Sequence, residues 1–227
     1  MIDVHPPHEG IHTWKDYLLH MSTIVLGLLL AIGLEQSVEA LHRAHERQEL
    51  RASLEWDTEK AVEDASQAEK TEKEPLLWLE GREQQIQDAL KTHRSPAAPL
   101  PRAPHTSSVV PIDPAWQAAR SSGLLSLLTQ QKIQVYSEMD SVIAHAQAAH
   151  EAGASASRKR GQFEFRHADP QHQGGMDLSS TTPAELDHYV DLLIEEGSAW
   201  DQYRVDCEYV RGGETAIMAG ERALGTC

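Results

Sequence analysis

The longest apolar run of the chain spans residues 17–34, YLLHMSTIVLGLLLAIGL, and contains one histidine as its only strongly polar side chain. A helix that crosses a bilayer needs about 20 apolar residues, so this run is just long enough. Trp14 and Tyr17 lie at its N-terminal edge, where aromatic rings favour the level of the lipid headgroups. The pattern predicts a polar tail at 1–13 and a transmembrane helix at 14–35.

Two other structures fit the same apolar run. A cleaved signal peptide would need a basic region before it, which the chain lacks apart from Lys15, although residues 38–40 resemble a cleavage site. A buried core helix would need apolar partners on every side, and no other segment is apolar enough to provide them. The sequence therefore favours a membrane anchor.

Small residues recur at every fourth position of the predicted span, namely Thr23, Gly27 and Ala31. Such a stripe lets two membrane helices approach closely, because it carries no bulky side chain. It predicts a homodimer through the membrane helix, with ordinary composition as the alternative interpretation.

A long charged segment follows the span. Residues 35–93 carry 15 acidic and 8 basic side chains, and pairs such as Glu39 and Arg43 stand four apart in the favourable order. This composition predicts that the membrane helix continues into a solvated helix. Proline lacks the backbone N–H and its ring clashes with the preceding turn, so we expect one helix to end near Pro75 and a second to continue to residue 93.

The rest of the chain alternates irregular and helical patterns. Prolines crowd residues 94–113, which predicts an extended linker, and Asp113 followed by a proline is typical of a helix start. Apolar positions then recur at spacings of three and four, with Gly123 as a tolerated glycine or a bend. Glycines, serines and a proline predict a loop at 153–182, and a capping box that begins at Thr182 starts the last helix.

The predicted fold class is all-α, with one N-terminal transmembrane helix continuing into an antiparallel bundle of about four helices with two long irregular loops. Residues 36–93 supply two helices, and 114–227 supply a helical hairpin whose last helix has a heptad-like stripe typical of a coiled coil. Leu193 and Trp200 belong to this stripe, so we expect both to be buried. Aromatic residues make up only 5% of the chain, which argues against a β-sandwich.

The two cysteines, Cys207 and Cys227, are predicted not to pair within one chain. If the last helix continues past Gly212 and Gly213, about 20 residues at about 1.5 Å rise separate them, whereas a disulfide needs Cα atoms within about 7 Å. A reversal of the chain at the two glycines is the alternative. Without that reversal, Cys227 is free to cross-link two chains in an oxidising compartment.

The N-terminal tail contains His8, Glu9 and His12, which match the H-E-x-x-H pattern of zinc metalloproteases. In that pattern the histidines bind zinc and the glutamate acts as general base. Two prolines precede the motif, Gly10 weakens a helix, and no domain is available here to enclose a metal. Weak metal binding by these histidines together with His5 is an alternative, a solvated tail is the simplest interpretation, and we expect no cofactor.

Two further groups of side chains have candidate roles. His42 and His45 lie just after the span, where a solvated face is the simplest interpretation and a pH-responsive or metal contact is the alternative. The triplet Arg158, Lys159 and Arg160 lies near both phenylalanines of the chain, and it predicts a lipid or protein contact or else a solvated loop. The net charge of −15 argues against nucleic acid, because phosphate binding needs clustered cations.

Two runs, HTWKDYLLHMSTIVLGLLLAIGLEQSVEALHRAHER and WQAARSSGLLSLLTQQKIQVYSEMDSVI, resemble a group of uncharacterised bacterial proteins with one N-terminal membrane helix and an extracytoplasmic helical domain. The resemblance covers about a quarter of the chain. It implies topology and fold class, and no activity, substrate or cofactor. It places the C-terminal domain outside the cytoplasm, whereas three arginines shortly after the span, against one lysine before it, weakly favour the cytoplasm.

These observations predict a non-enzymatic, single-pass protein of the bacterial inner membrane, whose periplasmic helical domain contacts a protein or a small ligand. The expected partners are the lipid bilayer, a second copy through the membrane helix and an unidentified protein, and nucleic acid is not among them. Two alternatives stay open: a metal-dependent enzyme that uses His8, Glu9 and His12, and a cytoplasm-facing adaptor on the same anchor.

Overall fold

The fold is all-α, as the sequence predicts. The computed structural model describes residues 14–92, 103–106, 108–168, 176, 178 and 181–224, with the side chains of the last helix described as far as residue 213. The helices are α1 (Trp14–Thr92), α2 (Pro114–Ser122), α3 (Gln130–Arg166) and α4 (Pro183–Leu224), and a 3₁₀ turn at Leu124–Leu127 follows α2. Within the described residues, the only β-type pairing is an isolated bridge between Ala168 and Met176.

The chain divides into two compact units, Met1–Glu49 and Leu50–Cys227. The described part of the first unit is the beginning of α1, where all side chains are exposed except that of Glu46, which is partly buried. An 18-residue window of this helix is long and apolar enough to cross a membrane, and none of it is buried.

The second unit is built on a seven-residue repeat. Its buried α1 positions alternate at spacings of three and four, a pattern that keeps one helix face against its neighbours over many turns. The α1 stripe consists of Leu54, Thr58, Ala61, Ala65, Ala68, Glu72, Pro75, Leu79, Arg82, Ile86 and Ala89. The α4 stripe consists of Leu186, Tyr189, Leu193, Glu196, Trp200, Tyr203, Cys207 and Val210.

Contacts between the stripes fix the helix directions. Gly153 of α3 lies against Trp200 of α4, while Arg160, further along α3, bonds Glu196, which lies earlier on α4. The two helices are therefore antiparallel. The guanidinium of Arg160 also lies 5.2 Å from the ring centre of Trp78 on α1. Because Tyr136, earlier on α3, shares a buried cluster with Leu50 and Leu54 of α1, α1 runs parallel to α3 and antiparallel to α4.

The expectation that a helix ends near Pro75 is wrong, and residues 36–92 belong to one helix rather than two. α1 continues without a break to Thr92. Proline inside a helix costs about 3 kcal/mol, but Pro75 occupies a heptad position between the buried residues Glu72 and Leu79. Packing of the turns before and after it supports the helix across the missing hydrogen bond.

The expectation of a loop over 153–182 is also wrong in its first part, because α3 extends to Arg166. Gly153 does not break the helix but makes room for a neighbour. A Cβ atom at this position would lie 2.7 Å from two ring atoms of Trp200, closer than packed atoms can approach. The glycine therefore serves close packing of α3 against α4.

The single helix expected after the proline-rich segment is divided. Gly123 adopts φ +80°, which glycine tolerates best, and ends α2 before the 3₁₀ turn. Asp113 is the N-cap residue of α2, as predicted, but its side chain makes no capping hydrogen bond. Asp57 of α1 instead accepts a hydrogen bond of 2.5 Å from the backbone N–H of Ala115.

The described part of the predicted linker lies on the bundle. The hydroxyl of Tyr203 donates to the carbonyl of Val109 over 2.5 Å, and the amide of Gln147 donates to the carbonyl of Pro111 over 3.1 Å. Pro111 is itself fully buried. These contacts fasten the segment before α2 to α3 and α4.

The capping box of α4 forms as predicted: the backbone N–H of Thr182 donates to Glu185 over 2.8 Å, and the N–H of Glu185 donates back to the Thr182 hydroxyl over 3.3 Å. These bonds hold the pKa of Glu185 below its usual range. α4 then continues past Gly212 and Gly213 to Leu224. This continuity is the condition under which Cys207 and Cys227 are predicted not to pair within one chain. Cys207 is a free, buried thiol, and Cys227 lies outside the described residues.

Trp200 is 1% exposed, as expected of the stripe in α4. Replacing it with Ala should lower the free energy of unfolding by about 3–5 kcal/mol, because the cavity cannot be refilled. The measurement is the denaturant midpoint of the purified full-length chain in detergent. Trp56→Ala, at a tryptophan that is 61% exposed, is the matched control and should change the midpoint little. Equal midpoints for both variants would contradict the packing described here.

Candidate functional site

The residues that carry the zinc-protease pattern, His8, Glu9 and His12, lie outside the described residues, as does His5. His42 and His45 are described, and they pair with glutamates one turn further along α1. The two pairs, His42 with Glu46 and His45 with Glu49, each measure 3.1 Å. Among the described residues, no group of three or more His, Cys, Asp or Glu side chains could hold a metal ion.

The stripe of Thr23, Gly27 and Ala31 lies on the exposed part of α1. The Thr23 hydroxyl donates to the carbonyl of Leu19 over 2.9 Å, so its polar group is satisfied within the helix. A Cβ atom at Gly27 would meet nothing within 4 Å. The stripe is thus open to a neighbouring helix, and the homodimer through it stays a prediction.

The basic triplet lies on α3 rather than in a loop, and its three side chains have three different environments. Arg158 is exposed, Lys159 forms an exposed ion pair of 2.5 Å with Glu195 of α4, and Arg160 is buried. Successive residues of a helix point in directions 100° apart, which is why the triplet does not act as one patch. Of the three, Arg158 is the most exposed, with 62% of its side chain uncovered against 52% for Lys159.

Arg160 is the centre of a buried ionic cluster. Its guanidinium bonds Glu196 on α4 and, over 2.6 Å, Glu164 one turn further along α3. The Tyr189 hydroxyl donates to the same Glu164 oxygen over 2.8 Å. Ser157 donates to Glu196 over 2.6 Å. Each carboxylate therefore accepts hydrogen bonds from two different side chains.

The cluster also contains a tryptophan that faces two arginines. The guanidinium carbons of Arg82 and Arg160 lie 4.7 Å and 5.2 Å from the ring centre of Trp78, within the range of a cation–π contact. Burial opposes the charge of Arg160, but the hydrogen bonds and charges of Glu196 and Glu164 outweigh it and raise its pKa. Burial lowers the pKa of Arg82. The charges of this cluster are balanced inside the core.

The centre of the cluster is buried, with Glu196 1% exposed and Arg160 7% exposed, while the Glu164 side chain at its edge keeps 21% of its surface exposed. What the arrangement can do is hold the helices in one relative position: Arg160 and Glu164 of α3 bond Glu196 and Tyr189 of α4, and Arg160 lies against Trp78 of α1.

Two carboxyl groups meet where α2 packs on α3. Asp140 of α3 accepts hydrogen bonds from Gln117 over 2.5 Å and from Arg120 over 2.7 Å, and both donors belong to α2. Burial and the nearby charge of Asp140 raise the pKa of Asp113 from 3.8 to about 6. Burial likewise raises the pKa of Asp57, although its bond to Ala115 opposes the shift. Folding therefore favours the protonated form of Asp113 and of Asp57.

A shallow groove of about 610 Å³ lies on α3, lined by Arg158, Gly161, Gln162, Phe165 and Arg166. Phe165 is 82% exposed, more than any other large apolar side chain described. The second phenylalanine, Phe163, is buried and stacks on Tyr189. The groove joins an exposed aromatic ring to two arginines, a combination suited to contact with an acidic partner surface.

Sequence reasoning missed the buried charges. Glu72, Arg82, Arg160 and Glu196 occupy the same heptad positions as the apolar core residues of their helices. The sequence did contain an indication of these buried charges, namely charged residues at the three-and-four spacing of an apolar stripe. A charged side chain at such a position must either pair with another polar group or stay outside the core. Arg160 and Glu196 pair across two helices, 36 positions apart, and this pairing could not be read from spacing alone.

Comparison of the chain with protein-family models, with curated proteins and with solved structures gives no match in any of the three.

Asp113→Asn should stabilise the chain at pH 7 by about 1–2 kcal/mol, a figure reduced for solvent screening. Because its pKa is raised, the Asp113 carboxyl binds a proton more tightly in the folded chain than in the unfolded chain. The free energy of unfolding therefore increases as pH falls from 7 through about 6. In the Asp113→Asn variant most of this increase in the free energy of unfolding should disappear. The smaller increase that comes from protonation of Asp57 should remain. Denaturant midpoints at pH 5, 6 and 7 test it, with exposed Asp191→Asn as control. An unchanged pH profile for Asp113→Asn would contradict the assignment.

Arg160→Met should cost about 3–5 kcal/mol, because it leaves Glu196 buried without its cation. Replacing both residues with Met should recover most of that loss, since a buried ion pair is worth little more than apolar residues of similar volume. Lys159→Met, which breaks the exposed pair with Glu195, is the control and should cost at most about 1 kcal/mol. A double variant no more stable than Arg160→Met alone would show that the pair does not act as a unit.

Proposed function

We propose that the chain is a non-enzymatic, single-pass membrane protein whose helical domain makes contacts with a protein or a small ligand outside the cytoplasm. The observation that carries this proposal is the exposure of the apolar residues 17–34. Side chains such as Leu19 and Leu34 leave about 70% of their surface uncovered. An apolar helix of this length without protein around it needs another apolar environment, and a bilayer provides one.

The second unit supports a contact function rather than catalysis. Its buried titratable side chains, including Glu196, Tyr189 and Cys207, are enclosed in the core. Burial raises the pKa of the Cys207 thiol to about 11, which makes it a poor nucleophile at neutral pH. The surface feature that fits a partner is the groove beside Phe165. A rigid bundle with an exposed basic and aromatic groove is suited to binding.

The resemblance to extracytoplasmic helical domains on one membrane helix supports the proposed location outside the cytoplasm, in the periplasm of a bacterium. The second candidate, a cytoplasm-facing adaptor on the same anchor, is favoured by the arginines at positions 43, 47 and 51. Long C-terminal domains are translocated largely regardless of such charges. We therefore place the domain outside.

The anchor is tested by alkaline carbonate extraction of membranes. The full-length chain should stay in the membrane pellet, and Leu26→Arg with Leu30→Arg should move it to the supernatant, because two charges at the centre of the span are costly. Tyr209→Arg, at an exposed position of α4, is the control and should stay in the pellet. A soluble chain whose N-terminus begins near residue 41 would instead show a cleaved signal peptide.

The side of the membrane is tested in the same preparations with a reporter fused to the C-terminus. A reporter that is active only after export should be active, and one that is active only in the cytoplasm should be silent. The reverse result would establish the cytoplasm-facing adaptor.

A further inference from the structure

We propose that residues 34–45 of α1 pair with the same residues of a second copy as a parallel, two-stranded coiled coil. The contact surface is a stripe of Leu34, Val38, Leu41 and His45, called the pairing stripe below. All four residues belong to the first compact unit. The proposal rests on the membrane anchor proposed above, because copies that cross one bilayer in the same direction present this segment in parallel.

The three apolar side chains of the pairing stripe are left uncovered by the chain itself. Leu34, Val38 and Leu41 are 71%, 64% and 77% exposed. The last two stand among charged residues after the end of the apolar run. They do not belong to the buried stripe of the second unit either, because its spacing leads back from Leu50 to Arg47. Such side chains gain from a covering surface, since burial of apolar area drives association.

The spacing of the pairing stripe is that of a coiled coil. Its members are separated by four, three and four residues, and the same alternation continues towards the N-terminus through Ala31, Gly27 and Ile24. Residues 24–45 therefore hold about three heptads, the length from which such a repeat indicates a coiled coil. Membrane helices pack at crossing angles like those of soluble coiled coils, so one repeat can continue across the membrane surface.

The residue types at the heptad positions favour two parallel strands. The alternation puts Val38 at position a and Leu41 at position d. A β-branched residue at a, followed by leucine at d, is the combination that favours parallel dimers over larger assemblies. The partner that this pattern fits is therefore a second copy of the same helix.

The charges of residues 35–49 avoid the pairing stripe. Every Glu and Arg side chain of this segment is at heptad position b, c, e or f; they are Glu35, Glu39, Arg43, Glu46, Arg47 and Glu49. The flanking g positions hold the small residues Ser37 and Ala44. In a parallel pair these lie beside His42 and Glu49 of the other strand, so no two like charges face each other. A chain with a net charge of −15 can therefore meet its own copy at this surface.

Polar groups near the stripe have partners within their own helix. The Ser37 hydroxyl donates to the carbonyl of Gly33 over 2.7 Å, and Arg43 pairs with Glu39 over 3.0 Å. Association along the stripe can keep both contacts, because neither involves an a or d position. The surface offered to a partner is thus mainly apolar.

His45 is the polar end of the pairing stripe. It pairs with Glu49 of its own helix over 3.1 Å and occupies an a position. A polar residue at a single a position fixes the register of two strands at some cost in stability. The next position of the repeat, Gln48, is also polar, so the stripe ends before the second unit begins at Leu50.

A second helix suits the pairing stripe better than lipid does. Lipid surrounds a helix on all sides, and residues 17–34 are apolar all round, whereas residues 35–49 are apolar on one side only. Leu41 follows Leu34 by seven residues, which is about 10 Å along a helix at about 1.5 Å rise. A headgroup layer is only about 5–7 Å thick. An upright helix therefore carries Leu41 beyond the lipid, where copies held in one bilayer have a high effective concentration.

The test is a scan of single cysteines in full-length chains in membranes, in a Cys227→Ser background. Val38→Cys and Leu41→Cys bring two thiols together at the two-fold axis of the pair, so oxidation should give a dimer on non-reducing electrophoresis. Ala40→Cys and Gln36→Cys, at positions c and f, are the matched controls. They should give about tenfold less dimer, because a disulfide needs Cα atoms within about 7 Å. The parent, whose described thiol is buried, should give none.

Leu41→Arg tests whether the stripe holds the pair together. With Val38→Cys as the reporter, the dimer yield should fall about tenfold, because two like charges then face each other at a d position. Ala40→Arg adds the same charge one residue away from the stripe and should leave the yield unchanged. Leu41 and Ala40 are both exposed, so neither substitution disturbs a packed core.

Four results would overturn the proposal. Equal yields at all scanned positions would indicate random collision, and no dimer at any position would leave the stripe to lipid or solvent. Cross-linking to a different protein alone would assign the stripe to that partner. Equal yields from Leu41→Arg and Ala40→Arg would show that the stripe does not hold the pair.

Carbonate extraction of the same membranes separates this proposal from the anchor. Chains that remain in the pellet without the expected pattern of cross-links contradict the pairing stripe and leave the anchor intact. Chains released from the pellet contradict the anchor, and with it the parallel pairing that rests on it.

Discussion

The seven-residue spacing shared by α1 and α4, and followed by most of α3, is the constraint on which the rest of the second unit depends. Spacings of three and four keep the buried stripe of each helix in contact with its neighbours over many turns. Small residues in the α1 stripe, such as Ala61, Ala65 and Ala68, let the helices approach closely. Pro75 and Gly153 lie in phase with these stripes, and for that reason neither interrupts its helix.

The same constraint explains why charges are found in the core. Arg160 and Glu196 occupy stripe positions, so the packing that buries their apolar neighbours buries them as well. Their bond stabilises one alignment of α3 and α4: a shift of either helix by one heptad would leave Glu196 buried without its cation, which costs several kcal/mol. Apolar stripes of similar residues would allow such a shift. The ionic cluster therefore contributes specificity of packing more than free energy.

Local features of the fold could be predicted from the sequence, and features that depend on distant residues could not. The capping box at Thr182 and the burial of Trp200 needed only nearby residues and a spacing. Helix ends at Pro75 and Gly153 were predicted from local propensity, which tertiary packing overrides. The bond from Ala115 to Asp57 joins residues 58 positions apart, and nothing in the sequence near α2 indicates it. The groove beside Phe165 appears only once α3 is known to extend that far.

The point where α1 changes from an exposed helix to a bundle helix also follows from the heptad phase. From Leu54 towards the N-terminus, the buried stripe extends one more turn to Leu50, and continuing the same spacing leads to Arg47 and Arg43, whose side chains are exposed. Val38 and Leu41 are apolar but out of phase. The helix therefore stays intact while its stripe stops, and residues 35–49 separate the apolar segment from the bundle. One continuous helix can in this way carry a segment suited to lipid, a solvated segment and a core segment, each defined by which residues occupy the stripe positions.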